Sequence, residues 1–150
     1  MEQIRVAIAS DHGGFAQKEQ LAAWLAAEGY AVEDFGCDSE ESVDYPDYAC
    51  AVGHAVADGS ADFGVLVCGT GIGMAVAANK VHGIRAANVT SVPFAQLARE
   101  HNDANVVTLS GRFVELSENQ QIVQAFLTTP FSGGRHERRV GKIMTIEQEG

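Results

Sequence analysis

Short apolar runs alternate with longer stretches in which apolar residues recur every three or four positions. Runs rich in Val, Ile and Ala are typical of strands that are buried on both faces of a sheet. They predict strands at residues 4–9, 31–35, 62–68, 84–88 and 105–109. The stretches between them predict helices at residues 15–28, 45–58, 91–101 and 115–127, a short helix that ends at residue 79, and a last helix over residues 135–147.

The alternation of strands with helices predicts a parallel sheet covered on both sides. We therefore expect a doubly wound, Rossmann-like α/β fold: a three-layer α/β/α sandwich around a five-stranded parallel sheet, plus a C-terminal helix. No strand follows that last helix, so it either packs on the sheet or reaches across to another subunit. At 150 residues the chain fits one domain, residues 1–150, with a single core.

The composition limits the classes of binding partner and the cellular compartment that we expect for this chain. The net charge of −10 disfavours nucleic acid and anionic membranes as partners. The chain has no apolar run long enough to span a membrane and no signal-peptide pattern at its start. Its three cysteines are widely spaced and odd in number, which favours a reducing, cytoplasmic setting and predicts neither a disulfide framework nor a metal site.

Candidate chemistry lies where strands are predicted to end, because ligands of this fold bind at the carboxyl ends of the strands. The first strand is followed by Asp11-His12-Gly13-Gly14, and the third ends in Cys68-Gly69-Thr70-Gly71-Ile72-Gly73. Cys68 would lie just before a helix N-terminus, which favours a thiolate that acts as a base or a nucleophile. The glycines after it allow backbone N–H groups to approach an oxyanion. The other interpretation is a buried structural cysteine.

Basic residues are concentrated near the C-terminus of this acidic chain. Arg135 and Arg139 are four positions apart, so they share one helix face and could clamp a phosphate. Arg112 follows the fifth strand and could join them. The alternatives are a solvated helix face for the cluster and a simple surface charge for Arg112. His101 and Asn102 end a predicted helix, where they either cap it or belong to a site.

Five motifs in this order resemble the B-type ribose-5-phosphate isomerases, within the wider group that includes galactose-6-phosphate isomerase. The resemblance covers residues 6–146. The motifs are Asp11-His12-Gly13-Gly14, Asp44-Tyr45-Pro46, the Cys68–Gly73 segment followed by Ala77-Ala78-Asn79-Lys80, Arg99-Glu100-His101-Asn102-Asp103, and Gly134-Arg135-His136 with Arg139.

The resemblance implies an isomerase that interconverts D-ribose 5-phosphate and D-ribulose 5-phosphate through an enediolate, without metal or organic cofactor. Cys68 would be the base, and His101 would open the furanose ring with possible help from Asp11. The implied binding roles fall into three groups: Gly69, Thr70, Gly71, Ile72 and Gly73 for the reacting oxygens; Asp11, His12 and Asn102 for hydroxyls, with Tyr45 lining the pocket; and Arg112, Arg135, Arg139 and His136 for the phosphate. Some members instead use a glutamate base six positions after the cysteine. Met74 stands there, so this chain resembles the cysteine-using branch.

The predicted topology separates Cys68 from His101. Cys68 should lie at the carboxyl edge of the sheet, and His101 precedes the fifth strand and should lie at the amino edge. A five-residue strand spans on the order of 17 Å. We therefore expect His101 and Asn102 to serve the site of a neighbouring subunit, in a homodimer or a tetramer.

The sequence leaves three alternatives to a ribose-5-phosphate isomerase open. One is an isomerase of a six-carbon substrate, allose 6-phosphate or galactose 6-phosphate. The others are a phosphocysteine carrier, since Cys68-Gly69-Thr70-Gly71 also resembles the phosphocysteine loop of sugar phosphotransferase components, and a phosphosugar-binding regulator without catalysis.

Overall fold

The computed structural model describes residues 2–150 and confirms the predicted alternation of strands and helices. The five strands are β1 (Arg5–Ser10), β2 (Ala31–Asp34), β3 (Phe63–Cys68), β4 (Ala86–Asn88) and β5 (Val106–Ser110). The six helices are α1 (Phe15–Ala27), α2 (Tyr45–Ala57), α3 (Ile72–Ala78), α4 (Val92–Asn102), α5 (Leu116–Thr128) and α6 (Arg135–Glu149).

The strands form one parallel sheet in the order β2-β1-β3-β5-β4. Chain order reverses at β1, because β2 lies on one side of it and β3 on the other. A doubly wound sheet has its ligand crevice at such a reversal. The register pairs Ser10 with Val67 and Cys68 with Ser110, so the loops after β1, β3 and β5 leave the sheet side by side.

Helices cover both faces of the sheet, which confirms the three-layer prediction. On one face, α1, α4 and α5 pack their apolar residues against alternate side chains of β1, β3 and β5, with Leu21, Ile122 and Phe126 fully buried. On the other face, α2 and α3 pack on the intervening side chains, with Val52 and Met74 fully buried. In the part of the chain that the structure describes, no helix is long and apolar enough to cross a membrane.

The C-terminal helix α6 lies outside these layers and packs against α4 of its own chain. Val140 is its only buried residue. The Glu147 carboxylate accepts the Gly83 backbone N–H at 3.0 and 3.1 Å, and the Met144 sulfur lies 3.3 Å from Arg85 Nη1. These contacts hold α6 beside the loop that leads into β4.

The edge strand β4 is shorter than the predicted residues 84–88 because other groups take the hydrogen bonds at its start. The Ile84 N–H bonds to Val81 O in a turn, and the Arg85 N–H donates to Asn105 Oδ1 at 2.8 Å. On its outer side, the Asn79 side chain both accepts the Ala86 N–H, at 2.8 Å, and donates to Ala86 O, at 3.0 Å. Asn79 therefore occupies the place that a neighbouring strand would take at Ala86.

Candidate active site

Cys68 is the last residue of β3, and its side chain faces the turn into α3. The residue is 5% exposed, and its sulfur accepts a hydrogen bond from the Gly71 N–H at 3.1 Å. Thr70 Oγ1 accepts the Ile72 N–H at 3.1 Å. Backbone donors at a helix start stabilise negative charge, so this turn can support a thiolate or an oxyanion beside it.

Two glycines of this turn allow neighbouring groups to approach closely. Gly71 has a φ of 83°, and a Cβ there would collide with Asn88 Oδ1 and the Leu109 carbonyl. A Cβ at Gly73 would lie 2.6 Å from Cε1 of Tyr45. The Tyr45 ring therefore covers the first turn of α3.

The loop after β1 brings Asp11 and His12 to the same edge of the sheet. Asp11 is 8% exposed, and its Oδ1 accepts the Gly14 N–H at 3.1 Å. His12 Nδ1 accepts the Val43 N–H at 3.1 Å, so a neutral His12 ring carries its proton on Nε2. Asp11 is thus an acceptor, and neutral His12 a donor, next to the Cys68 turn.

Arg112 joins the loops after β1 and β3. Its guanidinium lies next to both Gly13 and Gly69. A Cβ added at Gly13 would be 3.4 Å from Arg112 Nη2, and a Cβ added at Gly69 would be 3.3 Å from Nη1. The backbone N–H of Arg112 donates to Gly69 O at 3.2 Å, and the Ser110 hydroxyl donates to the same oxygen at 2.7 Å. The sequence alone did not predict this contact of Ser110 with the loop after β3. The feature that could have indicated it is a serine at the last position of a buried strand.

A second cluster forms where α4 ends and α6 begins. The imidazoles of His101 and His136 stack with centroids 4.3 Å apart and planes 13° apart. The Ser132 N–H donates to Glu100 O at 3.1 Å, and this bond connects the segment that leads into α6 to the last turn of α4. Arg135 and Arg139 are exposed, one turn apart on the same helix, and Asn102 is exposed at the end of α4. Partial burial under the other ring, together with the positive charge of His101, Arg135 and Arg139, lowers the pKa of His136.

The candidate residues therefore form two groups at opposite edges of the sheet. His101 lies at the amino edge, because α4 is followed by β5, which begins at Val106, whereas Cys68 and Arg112 lie at the carboxyl edge. The intervening strands span roughly 17–20 Å. Within one chain, Arg112 is consequently not brought together with Arg135 and Arg139. No three His, Cys, Asp or Glu side chains of residues 2–150 lie close enough to hold a metal ion.

A thiol that accepts a backbone N–H and an arginine beside the same turn, near the reversal point of a parallel sheet, are suited to chemistry on a small anionic molecule, and they assign the chain to the α/β enzymes. Comparison with known proteins gives the family. The chain belongs to the ribose/galactose isomerase family, whose sequence model matches residues 6–143.

Its relatives match over nearly their full lengths. Ribose-5-phosphate isomerase B of Escherichia coli is 48% identical over 145 residues, which cover 96% of this chain and 97% of that protein. The structure of ribose-5-phosphate isomerase B from Clostridium thermocellum has a TM-score of 0.96 at 49% identity, over 97% of this chain and 99% of that one. The enzyme from Mycoplasma genitalium, solved with bound ribulose-5-phosphate, has a TM-score of 0.95 at 45% identity and full coverage of both chains.

Proposed function

We propose that the protein is an aldose–ketose isomerase that interconverts D-ribose 5-phosphate and D-ribulose 5-phosphate. The observation that carries this proposal is the Cys68 thiol at the reversal point of the sheet, with the Gly71 N–H directed at its sulfur. The full-length similarity to a relative solved with ribulose-5-phosphate supports the choice of a five-carbon substrate.

Cys68 is the proposed base. Its thiolate removes the proton from C2 of the open-chain aldose, and the electron pair of that C–H bond forms the enediolate. The thiol then returns the proton to C1, while a hydroxyl proton moves from O2 to O1. A positioned base contributes roughly 10²–10⁴-fold to such a step. N–H groups of the segment from Gly69 to Gly73, with the Thr70 hydroxyl, would stabilise the charge on the oxygens.

The other candidate residues bind the sugar and prepare it for this step. His101 opens the furanose ring as an acid–base group at the ring oxygen, and Asp11 assists it. Sugar hydroxyls are bound by Asp11, His12 and Asn102, with Tyr45 lining the pocket. The phosphate is held by Arg112, Arg135, Arg139 and His136. Binding energy from the remote phosphate fixes the open chain against Cys68.

These roles require two subunits, because the two groups of residues lie at opposite edges of one sheet. We propose a homodimer in which the carboxyl-edge group of one subunit meets His101, Asn102, Arg135, His136 and Arg139 of its neighbour. Large apolar side chains exposed on α3, on α4 and in the loop after β5 support an interface there: Ile72, Val76, Phe94, Leu97 and Phe113. The three free cysteines support a cytoplasmic location.

The test is to measure interconversion of ribose 5-phosphate and ribulose 5-phosphate, without added metal, by the wild type and by Cys68→Ala. We expect the variant to lose about 10²-fold or more of the activity. Cys50→Ala is the matched control, since Cys50 is an exposed thiol on α2, and it should remain fully active.

Other outcomes would identify the alternatives. Wild-type turnover of allose 6-phosphate or galactose 6-phosphate, but not of ribose 5-phosphate, would show that the substrate is a six-carbon sugar phosphate. A phosphoryl group on Cys68 would indicate a carrier. Sugar-phosphate binding without turnover would indicate a regulator. Full activity in Cys68→Ala would exclude Cys68 as the base.

A further inference from the structure

Asp103 ends α4 directly after His101 and Asn102, in an unusual conformation. Its φ of 47° and ψ of 43° are left-handed, and it is the only non-glycine residue of positive φ in residues 2–150. Glycine would adopt this conformation without cost, whereas other residues are strained there, with Asp and Asn the most tolerant. Such strain persists where the surrounding structure requires the side chain.

The Asp103 carboxylate bridges two arginines from different parts of the chain. Oδ1 accepts Arg99 Nη1 at 2.9 Å, and Oδ2 accepts Arg85 Nη2 at 3.4 Å. Arg85 Nε also donates to the Asp103 backbone oxygen, at 2.9 Å. A glycine at this position would relieve the strain and lose both side-chain bonds.

Each arginine is itself fixed by further contacts. Arg99 is 8% exposed and donates to Ala104 O at 2.6 Å and to Thr129 O at 3.1 Å, and its guanidinium lies 5.0 Å from the Phe63 ring centroid. Arg85 contacts Met144 of α6 through Nη1. One carboxylate therefore connects the last turn of α4 to the core through Arg99 and to α6 through Arg85.

These two helices carry the stacked rings, His101 on α4 and His136 on α6. The stacking requires both helix ends to keep their relative position. We propose that Asp103 is a positioning residue that, through Arg99 and Arg85, holds the His101 ring and the α6 residues in the arrangement required for ring opening and phosphate binding. This inference rests on the proposed function, in which His101 acts on the ring oxygen.

The test compares Asp103→Gly and Asp103→Asn with the wild type. Asp103→Gly removes the carboxylate and relaxes the backbone, so the variant should fold. Asp103→Asn keeps an acceptor oxygen and tolerance of the left-handed conformation, so it should rescue part of the loss. The matched control is Asp62→Asn, because Asp62 also pairs with an arginine at the amino edge, Arg5 at 3.0 Å, and within residues 2–150 its carboxylate is hydrogen-bonded to Arg5 alone.

We expect kcat on ribose 5-phosphate to fall about 10²-fold in Asp103→Gly, since small misplacements of catalytic groups cost this much, and to fall less in Asp103→Asn. Asp62→Asn should keep the wild-type kcat. The second measurement is the NMR chemical shift of the His101 and His136 ring protons, which should change in Asp103→Gly as the rings separate.

The NMR measurement needs no isomerase activity, so it separates failure of this inference from failure of the proposed function. If the wild type does not convert ribose 5-phosphate, the chemical shifts of the two histidine rings alone show whether Asp103 holds the rings in position. Wild-type ring shifts in Asp103→Gly would overturn the inference, whether or not activity falls. Changed shifts with wild-type kcat in an active enzyme would also overturn it.

Discussion

Gly71 and Gly59 have nearly the same backbone conformation, with φ of 83° and 84°, but different surroundings. A Cβ at Gly71 would collide with Asn88 and Leu109, whereas one at Gly59 would meet no atom of residues 2–150 within 4 Å apart from its own chain neighbours. Gly59→Ala should therefore cost only the left-handed strain, roughly 1–2 kcal/mol. Gly71→Ala should cost about 1–3 kcal/mol more, because Ala also overpacks the turn.

Urea unfolding of both variants measures this difference directly. The Gly59→Ala variant serves as the control for backbone strain alone. Equal losses of unfolding free energy in the two variants would mean that the turn after Cys68 yields to a side chain and is not rigidly packed.

His136 gives a prediction about pH. Its pKa lies below the ordinary value of 6.5 because of partial burial under His101 and the nearby positive charges of His101, Arg135 and Arg139. The unfolded chain therefore takes up this proton first as the pH falls. The contribution of His136 to stability is complete above about pH 6.5 and is lost as the pH falls from there through the lower folded pKa.

His101→Asn should raise the pKa of His136, because it removes both the covering ring and one source of positive charge. NMR titration of the His136 ring proton measures this change. His54→Asn is the control, since His54 is exposed on α2 and should leave the titration as in the wild type. An unchanged His136 midpoint in His101→Asn would contradict the stacked arrangement.

At the scale of elements, the sequence was sufficient for the strands and helices with strong apolar patterns. β1, β3 and β5 follow their predicted positions within one residue, because buried strands need consecutive apolar side chains. β4 was overestimated by two residues. Its start depends on the hydrogen bond that the Arg85 N–H donates to Asn105 Oδ1 and on a local turn, and hydropathy does not record such bonds.

The place of α6 could not be predicted for a similar reason. The sequence left open whether this helix packs on the sheet or reaches another subunit, and the structure packs it on α4. The contact that fixes its far end joins Glu147 to Gly83, which are 64 positions apart. The same limit applied to the basic residues: the sequence did not say whether Arg112 meets Arg135 and Arg139 within one chain, and the fold places them at opposite edges of the sheet.

At the scale of the whole molecule, the proposed dimer, in which each site is shared between two subunits, has a direct consequence for mixtures of inactive variants. Cys68→Ala lacks the proposed base at the carboxyl edge, and His101→Asn lacks the proposed ring-opening group at the amino edge. A heterodimer of the two variants has one site in which both residues are intact. After dissociation and random reassociation, activity should recover to about a quarter of the wild-type level.

The matched control is a mixture of Cys68→Ala with Asp11→Asn. Asp11 follows β1 and Cys68 ends β3, both at the carboxyl edge, so every site in this mixture keeps one defect and activity should stay low. Absence of recovery in the first mixture would contradict a site shared between subunits.

The side chain of Asn79 at the edge of β4 affects how copies of this molecule can add to one another. Both bonding groups of Ala86 point outward from the sheet and are already occupied by Asn79. An incoming chain cannot pair with β4 there without displacing it, and exposed strand edges are where fibrous growth begins. The β4 edge is therefore closed at Ala86 from within its own chain, so copies of the molecule cannot extend the sheet from that position.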